Sequence, residues 1–427
     1  MLNTIADCVV LDPNSDFRYF HDFQPAAQWR TKFDGHSIAN RLHTEKSLAV
    51  FERRWGQVII TIRSQVLPYA FQGKEVAPIA PYQRIRIWWP SVPPEILLED
   101  AGPTIRTEFY HCHAFVSAVV SLQRTIALEP GREFNALIAL ERAEEIYKKI
   151  RPLAEGPNYE DAARGVLSSY FTFPRLTVDK REEANLKVRF NANIIQVISE
   201  AKYVTRESAT FYFGSLTEYR RENIIEATPP LSTRAKVDVM DLPSLRDRRM
   251  RFLAVYAKVS QELEAARNRW YESMGGKEAV KRVPTFIVLD EAHNFIPAAC
   301  ESKSEIVMRE LFRTIAAEGR KYSVFLILAT QRPDKLDPFV ISECENKAIM
   351  RLDSKRIATD VNAAMGLDDV PNDLLTRCVK LHTGNVLIAG KWSDGRPRIF
   401  YCAARRTREG GSTIPAIDWA VQPADRI

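Results

Sequence analysis

Cysteine is sparse in this 427-residue chain: six residues, at 8, 112, 300, 344, 378 and 402, with no C-x-x-C pair among them. That spacing suggests neither a zinc knuckle nor a disulfide framework and fits a reducing compartment. No apolar run approaches the roughly 20 residues needed to span a bilayer. The opening residues M-L-N-T-I-A-D lack the basic start and long apolar stretch of a secretory leader. A cytoplasmic protein with no membrane partner is therefore expected. His111-Cys112-His113 is the one ligand-like cluster, and neither alternate strand positions nor adjacent helix positions converge on a single metal. Charge of neither sign dominates: 60 basic against 54 acidic residues, net +6, permits a nucleic-acid partner without demanding one. The absence with the largest consequence is of a phosphate-cradling loop, since no G-x-x-x-x-G-K-[S/T] occurs anywhere. Gly73-Lys74, Gly276-Lys277 and Gly390-Lys391 lack both the following hydroxyl residue and the glycine five positions before.

What is present is densest between Val283 and Pro333. Two short apolar runs, Thr285–Leu289 and Ser323–Ala329, end abruptly in polar residues. Buried parallel strands read this way when their carboxyl ends open onto a site. Between them Val307, Leu311 and Ile315, flanked by Met308 and Phe312, recur at helical spacing, as in a helix covering a sheet. Strand, helix, strand makes a right-handed crossover, and ligands bind at the carboxyl edge of such a sheet. At that edge stand Asp290 and Glu291, then Thr330 and Gln331. In a nucleotide hydrolase the first acid holds magnesium through its water shell and the second polarises the attacking water. A side-chain amide at Gln331 would sense a terminal phosphate. Arg320, on the turn before the second run, stands where an arginine reaches a neighbouring subunit's nucleotide. The bland alternative is that Asp-Glu merely ends a strand; the pairing of D-E-A-H with A-T-Q-R-P about forty residues on is far more specific.

These residues carry a family resemblance. F-I-V-L-D-E-A-H-N-F-I-P (286–297), E-G-R-K (318–321), A-T-Q-R-P (329–333) and N-K-A-I-M-R-L (346–352) resemble the HerA/FtsK family of ring-shaped DNA-translocating ATPases, HerA more than FtsK. L-H-T-G-N-V-L-I-A-G (381–390) resembles the family's closing strand pair, and V-V-L-D-P-N-S-D-F (9–17) its second core strand with the acidic loop that follows. The resemblance is good over roughly 230–405 and the first twenty residues and weak between. It implies an α/β fold: a RecA-like P-loop ATPase core with a mainly parallel sheet, its first strand and P-loop missing, plus a largely helical insertion. It implies ATP and Mg2+ as ligands, a homo-oligomer (a hexamer), DNA, and a nuclease or effector as partners. By the same resemblance Asp290 holds magnesium through water, Glu291 activates water, and Asp290, Thr330, Gln331 and Arg332 meet the nucleotide. Arg320 acts in trans, with Arg332 as the competing candidate.

By the family's order the phosphate loop belongs before Met1, with Met1–Ile5 as the tail of its helix. An amino-terminally shortened ATPase is expected on that ground, since Asp290, Glu291 and Gln331 are all kept. The alternative is a natural scaffold subunit that oligomerises or recruits a nuclease without hydrolysing ATP. A DEAD-box-like helicase fits A-T-Q-R-P and the position of G-R-K poorly.

The expected organisation is 1–20 as the start of the core, 21–229 as the insertion, mixed then mainly helical, and 230–427 as the core with its carboxyl-terminal tail. W-G-Q-V-I-I-T-I-R (55–63) and Q-R-I-R-I-W-W-P (83–90) read as strands, with Trp88 and Trp89 as hydrophobic anchors before base-stacking residues. Lys236–Leu242 reads as a core strand leading into a long helix striped by Phe252, Tyr256, Val259, Leu263, Ala266 and Trp270. Arg246, Arg248, Arg249 and Arg251 crowd its start, the wrong end for the helix dipole, and read as a solvated face or as facing phosphate or acidic side chains. Asp353–Met365 reads as a helix, and A-R-R-T-R-E-G-G (403–411) as a basic tail ordered in an assembly.

Overall fold

The computed structural model describes residues 6–20, 22, 58–72, 75–78, 81–87, 92–93, 96, 109–210, 213–214, 236–245, 248–274, 283–367, 370–382 and 384–401. Met1–Ile5, Trp88, Trp89, Arg246, the side chain of Arg249 and the 403–411 segment lie outside it.

Eleven strands are described. The first is β1 (Asp7–Asp12), followed by β2 (Ile59–Arg63), β3 (Tyr69–Gln72), β4 (Glu75–Pro78) and β5 (Tyr82–Gln83). After a helical stretch come β6 (Lys236–Asp241), β7 (Thr285–Leu289) and β8 (Val324–Leu328), then β9 (Lys347–Ile349), β10 (Asn385–Ala389) and β11 (Arg398–Tyr401). Six of them form one sheet in the order β5-β2-β6-β1-β7-β8. Every pairing in it is parallel, so all six carboxyl ends share one edge. Sequence reading located β1, β6, β7 and β8 to within a residue or two. Two strands from the stretch expected as an insertion (21–229), β2 and β5, extend the sheet beyond β6.

One face of the sheet is covered by α5 (Arg248–Met274) and α6 (Lys303–Tyr322). Val9, Leu11, Met240, Ile287, Leu289 and Val324 share a core with Leu253, Leu263, Met308, Phe312 and Ile315 of these helices. The α5 stripe read from the sequence is this contact, with Phe252, Val259, Leu263 and Ala266 buried. Ser302 starts α6 by accepting the Glu305 backbone N–H at 3.1 Å. Ser323, left-handed at φ 65°, closes it, and Gly319 in the last turn lets it lie against β8, since a Cβ there would be 2.5 Å from the Val324 carbonyl oxygen. Arg248 pairs with the acidic side chain of Glu305 at 2.9 Å and Arg251 donates to the Leu245 carbonyl.

The same core runs on into a bundle of α1 (Tyr110–Ile126), α2 (Ala136–Ile150), α3 (Tyr159–Tyr170) and α4 (Lys180–Ala201). His111 of its expected cluster donates to or accepts from Glu200 at 2.7 Å. Beyond β8, α7 (Pro338–Glu343), α8 (Lys355–Met365) and α9 (Asn372–Cys378) pack with the antiparallel order β11-β10-β9 around a second core of Ile349, Val361, Leu375 and Leu387.

The other face of the sheet is covered unevenly. Parallel register puts Val239, Val10, Val288 and Ile327 in one row and Val237, Cys8, Phe286 and Phe325 in the next. Towards β2 the rows are sealed: Val237, Val239 and Val10 are at most 4% exposed beside Ile62 and Tyr82. Towards β8 they open, with Phe325 at 37% and Ile327 at 39%. Phe286 and Phe325 stack on each other at 5.3 Å with no apolar cover among the described residues. The outer edge of β8 also has no partner strand among the described residues. A strand reading V-F-L-I-L has the composition of a sheet interior, not of an edge.

Candidate active site

Three carboxylates stand side by side on the carboxyl edge: Asp241 ending β6, Asp12 ending β1 and Asp290 just past β7. Their surroundings differ. Asp241 is 1% exposed and satisfied by two hydroxyls, Ser15 Oγ at 2.5 Å and Ser64 Oγ at 2.7 Å. Asp12, fully buried, accepts the backbone N–H groups of Asn14, Asp16 and Phe17 at 3.2, 3.1 and 2.8 Å. It therefore shapes the loop after β1, with Ser15 in a left-handed conformation at φ 63°. Asp290 is different. It is half-buried; its Oδ1 accepts the Glu291 backbone N–H at 3.0 Å and its Oδ2 meets the Asn14 side-chain amide at 3.5 Å.

Burial raises Asp12 from 3.8 to about 6, against the three backbone donors, and the Asp241 charge raises it further. A raised carboxyl contributes stability that is complete below the unfolded value of 3.8 and is lost as pH rises through about 6. Asp12→Asn is expected to flatten that part of the stability curve. Urea midpoints at pH 4 and pH 6.5 should differ less in the variant than in the parent; an equal pH dependence in both would contradict the assignment.

Glu291 follows with φ 43° and ψ 48°, a left-handed backbone that a branched-free acid adopts only at a cost. The turn is forced by what flanks it. The β7–β8 ladder continues through Ala329 N–H to Leu289 O and Ala292 N–H to Ala329 O, both 2.9 Å, so Glu291 is squeezed out of line between two ladder bonds. Its carboxyl is turned towards the neighbouring strand end. Oε2 is shut off from solvent and 3.3 Å from His293 Nδ1, off the hydrogen-bonding direction, so it has no hydrogen bond. His293 Nδ1 is 2.9 Å from Thr330 Oγ1, which also accepts the Arg332 backbone N–H at 3.0 Å.

The loops after β7 and β8 are knitted together further on. Pro297 and Leu336 form an antiparallel bridge, and Ala298 N–H donates to Lys335 O at 2.8 Å. Asp337, fully buried, holds Arg313 of α6 through both oxygens at 3.1 and 2.8 Å and caps α7. Asp290, Glu291, Thr330, Gln331 and Arg332 are thus gathered on one edge, on a frame fixed by β7, β8, α6 and α7. Gln331 and Arg332 are exposed there, and Arg332 reaches Asp334 at 3.6 Å.

Arg320 is not with them. It lies in the last turn of α6, before β8 begins, and lines a cleft with Trp270, Glu318 and Lys321. The five-residue length of β8 alone separates it from the carboxyl edge by roughly 16 Å. Sequence reasoning passed over Asp241, Asn14 and His293. Asp241 had a signal, since K-V-D-V-M-D ends in an acid as T-F-I-V-L-D does; Asn14 and His293 matter only through neighbours distant in sequence.

With a strained glutamate beside an aspartate at one strand tip and an amide at the next, the donor set is all oxygen, suited to a magnesium-bound phosphate. A family model for ATPases associated with various cellular activities (AAA) matches residues 234–352, the stretch that holds β6, β7 and β8. The DNA double-strand break repair helicase HerA of Pyrococcus furiosus is 28% identical over 190 residues, 40% of this chain and 33% of that protein. HerA of Saccharolobus solfataricus is 30% identical over 184 residues, 42% of this chain and 33% of that protein. The chain resembles the HerA helicases. It spans about one third of the length of these relatives. Among solved structures, VirB4 of Thermoanaerobacter pseudethanolicus superposes with a TM-score of 0.31 at 12% identity, over 93% of this chain and 89% of that one. The genome packaging NTPase B204 of Sulfolobus turreted icosahedral virus 2, in complex with ATP-gammaS, does so with 0.25 at 14% identity, over 40% and 70%. Both superpositions are too loose to carry an argument; strand order and edge chemistry carry the fold. No described helix is long and apolar enough to cross a membrane.

Proposed function

We propose that this chain is the hydrolytic core of a HerA-like, ATP-driven DNA translocase that works as a ring of identical subunits. The observation that carries the reading is Glu291: a solvent-shielded carboxyl oxygen without a hydrogen bond, on a strained residue, one position from Asp290 and across from the Thr330–Gln331 turn. Asp290 fits magnesium because its half-buried carboxylate keeps one oxygen, Oδ2, with only a long 3.5 Å contact to Asn14 while Oδ1 accepts the Glu291 N–H, and the ion would neutralise charge on the phosphates when bound. Glu291 takes the proton of a water whose oxygen bonds to the γ-phosphorus. The bond from that phosphorus to the β,γ-bridging oxygen breaks, giving ADP and phosphate. Gln331 orients the γ-phosphate, and Arg320 approaches the site of the next subunit.

The phosphate cradle is the missing part. Among the described residues, the open edge of β8 and its exposed Phe325 and Ile327 occupy the same corner of the sheet. One strand pairing with β8, followed by a helix lying across those side chains, would cover both. In this reading the strand–helix unit of a phosphate loop would take that place. The second reading, a non-hydrolysing scaffold subunit that recruits a nuclease or effector, is favoured by the lack of any G-x-x-x-x-G-K-[S/T] in the 427 residues. The reading frame upstream separates them: the motif in frame supports the hydrolase, and an in-frame stop codon supports the scaffold. DNA-stimulated release of phosphate from ATP by the extended protein is the direct test.

A further inference from the structure

We infer that His293 is a positioning residue that ties the Glu291 carboxyl to the phosphate-sensing turn, an inference that rests on the hydrolase reading above. His293 sits in the single helical turn Ala292–Asn294 that follows Glu291. Its ring is enclosed, 16% exposed, and Glu291 is 14% exposed. From one nitrogen, Nδ1, it faces two oxygens of different strands: Thr330 Oγ1 at 2.9 Å and Glu291 Oε2 at 3.3 Å. An Nδ1–H suits both: it donates to Thr330 Oγ1, which already accepts one N–H, and it brings positive rather than lone-pair charge within 3.3 Å of a carboxylate oxygen that has no hydrogen bond. Thr330 Oγ1 already accepts the Arg332 N–H, so its position is coupled to the turn that displays Gln331. One proton thus serves two acceptors, and it is better aimed at Thr330. Pulling the Thr330–Arg332 turn away, as a phosphate held by Gln331 would, leaves that proton for Glu291; with the turn relaxed, Glu291 Oε2 stays unpaired. The base and the sensor therefore share one switchable hydrogen bond.

Two measurements test this. In the 427-residue chain itself, long-range 1H–15N spectra of the histidine side chains should show His293 protonated at Nδ1. Its Nδ1 resonance should move in both Thr330→Val and Glu291→Gln. A His293 protonated only at Nε2, or one unmoved by either change, overturns the inference whatever the enzyme does. In the extended, DNA-bound ring, His293→Ala should lower kcat by about 10²-fold with the KM for ATP within a factor of two. His293→Asn, which returns an N–H at nearly the same place, should restore at least a tenth of parental turnover, and Thr330→Val should change kcat in the same direction as His293→Ala. Parental kcat in His293→Ala overturns the inference, and so does a loss that His293→Asn fails to relieve. Glu291→Gln is the control on the underlying reading. If it hydrolyses ATP normally, the hydrolase reading fails, and that outcome is distinct from an unaltered His293→Ala beside an inactive Glu291→Gln.

Discussion

Glu291→Gln is expected to lower ATP turnover in the extended, DNA-bound protein by about 10³-fold, the range for removing a positioned general base. ATP affinity should stay within a few-fold. The substitution keeps the shape of a side chain that is 14% exposed, so packing should survive it. It also keeps an oxygen that can orient water, but it removes the group that accepts the proton. The strained backbone, at φ 43°, is common to parent and variant, so a loss of turnover cannot be assigned to released strain. Rapid-quench single-turnover kinetics separates chemistry from product release and checks the result. Retention of turnover within ten-fold would remove Glu291 from the role of base. Asp290→Asn should behave differently, weakening magnesium-dependent nucleotide binding as well as turnover, because that carboxylate is the one with room for the ion.

The second large effect concerns Arg320. Its place at the end of α6, with β8 between it and the carboxylates, leaves it no route to its own subunit's Glu291. In the proposed ring, the arginine at each site is that of a neighbour. Arg320→Ala is expected to lower turnover by about 10³-fold or more, as for other arginines supplied in trans. Mixing then gives a sharper result. An interface between an Arg320→Ala subunit, which keeps its glutamate, and a Glu291→Gln subunit, which keeps its arginine, has every part it needs. Equal mixtures of the two inactive variants should recover roughly a quarter of parental turnover if heterologous interfaces form at random. No recovery would contradict the role of Arg320. Recovery with Arg332→Ala in its place would transfer that role to Arg332, which stands exposed on the carboxyl edge.

The parts of this site legible in the sequence were those written locally. T-F-I-V-L and V-F-L-I-L are short, almost wholly apolar and bounded by polar residues, so β7, β8 and the acids at the end of β7 could be read directly. The α5 stripe was equally plain because helical spacing is a property of one segment. What escaped depended on residues brought together from afar. Ser15 and Ser64 reach Asp241 across separations of 226 and 177 residues, and nothing in either serine's neighbourhood announces it. His293 was quoted within D-E-A-H, yet its meaning lies in Thr330, 37 positions on. The burial of Asp12, and with it the raised carboxyl, follows from strands on both sides. I-I-T-I-R was legible as a strand, but its place beside β6 was not, because strand pairing across more than 170 residues leaves no local mark; the two-residue Tyr82–Gln83 strand is too short to read. The uncovered rows on β7 and β8 appear only once strand order is known, since a sequence cannot show which strand lies at an edge.

Calorimetric titration of ATP with magnesium into the 427-residue chain, and into the version extended upstream, bears most directly on the open corner of the sheet. The expected result is no binding tighter than about 1 mM, near 4 kcal/mol, for the 427-residue chain, and micromolar, magnesium-dependent binding for the extended one, lost on Asp290→Asn. Tight, magnesium-dependent binding by the 427-residue chain alone would contradict the account, because the phosphates would then be held by something other than a strand and helix seated against β8.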